Sequence, residues 1–175
     1  SCGIAWTDRQ FSGGTRRASV ARMRTPFVAL ISYAVAAGCA AAPVQTVSKP
    51  LPVATITVDT ERGPHSFRVE LANDSASQQR GLMFRKTLAP DAGMLFDFHQ
   101  LVNVSFWMKD TILPLDMLFI GPDGTISSIA PDAVPYSETP IPSAEPVRAV
   151  LEINAGQAAA LGIEPGGKVH SAIFT

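Results

Sequence analysis

Thr55-Ile56-Thr57-Val58 and Ser66-Phe67-Arg68-Val69-Glu70-Leu71 are the stretches whose reading decides the fold class. In the first, Ile56 and Val58 alternate with threonines. In the second, Phe67, Val69 and Leu71 alternate with Ser66, Arg68 and Glu70. A period of two sends successive side chains to opposite faces of a strand, so each run predicts a strand with one buried face. The polar Glu61-Arg62-Gly63-Pro64 between them makes the pair a hairpin.

Downstream, Asp74-Ser75 offers an N-cap, and Ser75 with Gln78 has capping-box spacing. This predicts a short helix through Arg80, stopped near Gly81. Apolar runs at Met94–Phe98, Val102–Met108 and Leu115–Ile120 read as strands, and the tight turn Pro122-Asp123-Gly124 leads into another at Thr125–Ile129. Five prolines in 131–146 predict a long surface loop. Val147–Ile153 reads as a strand, Ala155–Leu161 as a short helix and Lys168–Phe174 as the closing strand. Many short strands with two brief helices predict a mostly β (α+β) domain, a compact small barrel or sandwich.

Upstream of the hairpin the composition changes. Arg24, the apolar run Pro26–Ala37 and the small residues up to Gly38-Cys39 read as an export signal, too short to span a bilayer. Residues 1–38 are therefore expected to be a leader and signal peptide. Ala36-Ala37-Gly38-Cys39 is similar to the bacterial lipobox, which implies lipid attachment at Cys39 and membrane contact through that anchor alone. Residues 39–52, rich in Ala, Pro, Ser and Thr, read as a flexible tether reaching at most about 45 Å. Residues 53–175 are long enough for one domain with a real core. The expected location is the periplasm or the membrane face of the cell envelope.

Beyond Cys39 there is no cysteine, which excludes a disulfide framework, a thiolate metal site and a cysteine nucleophile from the folded part. The leader carries five arginines and one aspartate, leaving residues 39–175 at a net −5. A net-acidic domain without a basic run is a poor nucleic-acid binder. His65, His99 and His170 lack metal-ligand spacing, and no triad, phosphate-loop or zinc-peptidase motif occurs. Met83, Met94, Met108 and Met117 lie in apolar runs and read as core filler rather than a copper site. No metal or cofactor is expected.

The candidate site is Phe106-Trp107-Met108-Lys109-Asp110-Thr111-Ile112-Leu113-Pro114-Leu115-Asp116. On an extended strand Trp107 and Lys109 share a face, and a turn through Thr111–Pro114 is expected to bring Asp110 near Asp116. An aromatic platform, a cation and two carboxylates suit a sugar or another polar ligand. The structural alternative pairs Lys109 with one aspartate and leaves the other to turn amides. Arg80 and Arg85 bracket Gly81-Leu82-Met83-Phe84 and offer an anion subsite, or a plain interaction with the helix C-terminus. Glu152, on the strand 147–153, is expected to pair with Arg80, Arg85 or Arg148.

Taken in order, several of these blocks resemble one family. They are Gln79-Arg80-Gly81-Leu82-Met83-Phe84-Arg85, Gly93-Met94-Leu95-Phe96, Phe106 to Thr111, Pro114-Leu115-Asp116, Val150-Leu151-Glu152 and the turn at Gly162-Ile163 to Gly166. The family is the prokaryotic group catalogued as domain of unknown function 192, and the resemblance covers about residues 53–175. It implies a small β-rich domain, often exported, with no assigned activity. Asp110 stands where the family commonly has asparagine, and Gly167 where aspartate is common. The first departure implies that Asp116 is the better carboxylate.

Three readings follow. The leading one is an exported envelope domain that binds a small polar ligand or a protein partner, without catalysis, through Trp107, Lys109, Asp116 and Arg85. Arg80 and Asp110 are further candidates. The second is a hydrolase or lyase acting on an envelope polysaccharide through Asp116. The third is a purely structural lipoprotein. They divide on whether these side chains meet open space or one another.

Overall fold

The structure is a computed structural model that describes residues 50–174. The expected leader, the Cys39 anchor and the tether up to residue 49 lie outside the described residues. The last tether residues belong to the fold: Leu51 packs on the core, and the Pro52 carbonyl accepts from Leu71 N at 2.8 Å.

The predicted hairpin is β1 (Val53–Val58) and β2 (His65–Ala72), paired antiparallel. The other strands are β3 (Ala92–Val102), β4 (Ser105–Phe106), β5 (Leu115–Ile120), β6 (Ile126–Ala133), β7 (Ile141–Pro142), β8 (Val147–Asn154) and β9 (Val169–His170). Seven of them form one sheet in the order β6-β5-β8-β3-β2-β1-β9, curled into half a barrel, and β4 pairs with β7 separately. The β2–β3 pair is parallel, so the chain must cross over between them. Helix α1 (Ser75–Arg80) and the segment 81–91 make that crossover. The sheet curls because its ends meet: Thr125 bridges Lys168, Ile126 N donates to Gly167 O at 2.9 Å, and Val169 N donates to Gly124 O at 2.8 Å. Gly124 is required there. It holds φ +84°, and a Cβ would stand 2.4 Å from the Val169 carbonyl.

Both sheet faces are covered, which is why β5 and β8 are apolar on both sides. One face packs Ile56, Val58, Phe67, Leu95, Leu118 and Leu151 against Ala158 and Ile163, around helix α2 (Gln157–Leu161). The other packs Met94, Phe96, Met117, Phe119 and Val150 against Leu82, Val104, Phe106 and Met108. Phe106 makes edge contacts with Phe96 and Phe119, at centroid distances of 5.1 and 6.3 Å.

Several boundaries differ from the sequence reading, for local reasons. The cap of α1 is Asp74, whose Oδ1 accepts from Ser77 N at 2.9 Å while Ser77 Oγ accepts from Asp74 N. The box is thus Asp74 with Ser77, and Ser75 is already helical. Gln78 instead ties α1 to β3 by donating to Asp97 O at 2.8 Å. The expected strand 102–108 is broken. The β3–β8 register shifts between Asp97 and Val102, His99 is left-handed (φ 60°), and after Phe106 the chain leaves the sheet. Trp107 and Lys109 therefore do not share a strand face. The expected 131–146 loop is partly strand, since β6 runs to Ala133 and β7 lies within it. Helix α2 starts at Gln157 because Gly156 is left-handed (φ 77°). The closing strand is only Val169–His170, followed by a 3₁₀ turn at Ala172–Phe174.

Candidate functional site

Asp116 lies on β5, is fully buried, and faces α2. Its Oδ1 accepts from Asp132 N at 2.9 Å and Gly156 N at 3.1 Å, and its Oδ2 accepts from Ala158 N at 2.9 Å. The chemistry explains the placement. Gly156 has no side chain to cap α2, whose first N–H groups would otherwise be orphaned. A carboxylate from a distant strand caps them and meets the positive end of the helix. The third bond holds Asp132, a left-handed residue (φ 51°) where the β5–β6 register shifts. Both oxygens of Asp116 are thus engaged by backbone.

Arg85 is likewise engaged. Its Nη1 and Nη2 each donate to a Glu70 oxygen at 2.6 Å, a fork-to-fork pair, and those bonds hold the guanidinium above its ordinary range. Arg80 is exposed on the last turn of α1. Lys109 Nζ lies 3.7 Å from Glu138 Oε1, with both side chains open to solvent. Trp107 is half-buried. Asp110 is left-handed (φ 57°), and its carbonyl accepts from Phe84 N at 2.9 Å.

That last bond joins two loops, and a third joins them. Tyr136 N donates to Thr111 O at 3.2 Å, and Met108 N donates to Ser137 O at 2.8 Å. The loops around Phe84, around 107–114 and around 134–137 are therefore one backbone-bonded surface. It carries four of the exposed large apolar side chains: Phe84, Ile112, Val134 and Tyr136. Phe84 and Tyr136, like Asp110, sit at φ near +60°, which costs non-glycine residues free energy and clusters at sites that bind. The structure thus joins the loop of Lys109 and Asp110 by backbone bonds to the loops of Phe84 and Tyr136, while Asp116 and Arg85 are taken up elsewhere. The sequence reading did not single out Phe84 or Tyr136. Their only signal was an aromatic residue set among turn and proline residues.

Glu152 was expected to pair with an arginine and does not. Arg85 goes to Glu70, and Arg148 meets Asp97. Glu152 sits on β8 at 5 % exposure, flanked across the sheet by Met94 on β3 and Met117 on β5. Burial pushes its carboxyl up to about 8, so it is protonated at neutral pH. Among the described residues no three of His, Cys, Asp and Glu gather as metal ligands, and no helix is long and apolar enough to cross a membrane.

Residues 55–171 match the DUF192 family, described as Uncharacterized ACR. Two solved structures are similar to the chain. One is a protein from Sinorhizobium meliloti 1021 named as a proposed transcription regulator: 48 % identical, TM-score 0.69, covering 71 % of this chain and 98 % of that one. The other is a protein of unknown function from Novosphingobium aromaticivorans DSM 12444: 48 % identical, TM-score 0.68, covering 75 % and 91 %. No curated protein matches.

Proposed function

The chain belongs to the DUF192 family, whose activity is uncharacterised, and from that premise we propose that it is a binding domain of the cell envelope, taking a small polar ligand of saccharide type on its loop surface. The observation that supports this is that the loops carrying the exposed Phe84, Val134 and Tyr136 each hydrogen-bond through backbone to the loop that carries Lys109, Asp110 and Ile112. A sugar ring offers an apolar face and a polar rim. Aromatic side chains take the first, and a cation with a carboxylate takes the second. Rigid loops reduce the ordering cost of binding.

The roles of the residues change with this reading. Lys109 and Asp110 serve the ligand, Arg85 orients its loop through Glu70, and Asp116 holds the scaffold. The hydrolase or lyase reading loses its residue, because acid–base work needs a carboxylate within reach of substrate. Direct contact with DNA, which a transcription regulator would make, gains nothing from a net-acidic chain.

The test is a thermal-shift screen of the full chain against soluble cell-wall saccharides. A saccharide should raise the midpoint. Phe84→Ala with Tyr136→Ala should weaken its binding tenfold or more while changing stability by under about 0.5 kcal/mol each, as exposed positions do. No stabilising saccharide, or equal binding by the double variant, ends this reading. Export is tested separately: a fatty-acid label should appear in the cell-envelope fraction and vanish in Cys39→Ala.

A further inference from the structure

Glu152 is a buried carboxyl on the face of β8 that packs on Met94 and Met117. Met94 is its direct partner across the β3–β8 pair, and Met117 is its direct partner across β5–β8. Directly opposed residues point to the same face, with Cβ atoms roughly 4.5–5.5 Å apart. Two thioethers therefore flank one carboxyl in a single row across three strands. Both methionines are fully buried, and Glu152 keeps 5 % of its surface. Among the described residues, no hydrogen-bond donor or cation meets the Glu152 carboxyl. The arginines nearest in the sequence reading are committed to Glu70 and Asp97.

A buried polar group without a partner is rare in native proteins and calls for a ligand or a function. The identity of the neighbours says which ligand. Thioether sulfur is a soft donor that selects copper(I) over the hard ions bound by oxygen cages. The buried carboxyl is protonated while the site is empty; a monovalent cation replaces that proton, which leaves to solvent, and balances the single negative charge of the resulting carboxylate. We propose that Met94, Met117 and Glu152 form a site for a soft monovalent metal ion, copper(I) or its analogue silver(I). The sequence reading assigned these methionines to core filling. The register adds a third donor between two of them, which no spacing along the chain reveals. The site lies on the sheet face rather than among the exposed loop side chains, so it stands or falls independently of the saccharide reading.

The experiment is an anaerobic titration of the full chain with copper(I) against a chromophoric chelator. Cys2→Ser and Cys39→Ser are introduced so that thiols do not compete. One copper(I) per chain is expected, with two sulfur neighbours and one oxygen in its X-ray absorption spectrum. Met94→Leu with Met117→Leu keeps core volume and should lower the affinity at least tenfold, as should Glu152→Gln. Met83→Leu should leave it unchanged. Absence of binding, or full affinity in the Met94→Leu, Met117→Leu chain, overturns the proposal. Should that double variant fail to fold, the sulfur count in the unsubstituted site decides, and fewer than two thioethers overturns it.

Discussion

Asp116→Asn lowers the thermal unfolding midpoint by roughly 10–15 °C at neutral pH. The substitution is nearly isosteric, so the loss comes from hydrogen bonding rather than volume. The amide can keep one oxygen toward Asp132 N and Gly156 N, but its NH₂ group then faces the Ala158 N–H, donor against donor. Reversing the amide only moves the conflict to the other two donors. A hydrogen bond to a charged acceptor contributes about 1.5–3 kcal/mol, and a buried donor left unpaired costs about 1–3 kcal/mol. A net loss near 3 kcal/mol follows for a domain of this size. Three elements loosen together: β5, the irregular step of β6 at Asp132, and the start of α2. Calorimetry measures it. An unchanged midpoint would show that the three backbone N–H groups find other partners, and would return Asp116 to the pool of ligand-binding candidates.

Glu152 makes stability depend on pH between about pH 4.5 and pH 8. Its folded-state value of about 8 lies above the ordinary 4.5, so the folded protein holds a proton that the unfolded chain releases. Below about pH 4.5 both states carry it, and the contribution to stability is fully present. As pH rises toward about 8 stability falls, by up to about 1.4 kcal/mol per pH unit. Above that, both states are ionised and the slope vanishes. Glu152→Gln cannot titrate, so its stability relative to the parent chain should climb through this window and then level off. Glu152→Leu removes the buried polar group altogether and should exceed the parent in stability at pH 8. Urea unfolding in steps from pH 5 to pH 9, without metal, gives both curves. Parallel curves for parent and Gln variant would mean that Glu152 titrates normally.

The two carboxylates show what could be read in advance. The sequence marked Asp116 as unusual because a charge stood inside an apolar run. It could not show that residues 132, 156 and 158 would bring three amides to it, since those contacts span 16 to 42 residues. Glu152 was visible as a strand carboxylate, and an arginine partner was the reasonable expectation. The register decided otherwise, setting methionines on both sides and directing the arginines to Glu70 and Asp97. The strand reading of 102–108 failed because a run of apolar residues does not reveal a bulge. The backbone turned at His99 and left the sheet after Phe106.

The sequence by itself determined the mostly β class, the β1–β2 hairpin, the buried strands β5 and β8, two short helices and membership of the family. These rest on periodicity, turn chemistry and ordered motifs, all of which are local. Tertiary structure alone decided which charges are consumed and which stay available. It buried Asp116 as the cap of a helix that begins with glycine, locked Arg85 to Glu70, set Glu152 between two methionines, and bonded the loops of the exposed Phe84 and Tyr136 to the loop of Lys109 and Asp110. The physical reason is that strand pairing and loop-to-loop hydrogen bonds join residues far apart in the chain, and a side chain's partner fixes whether its charge holds the fold or meets a ligand.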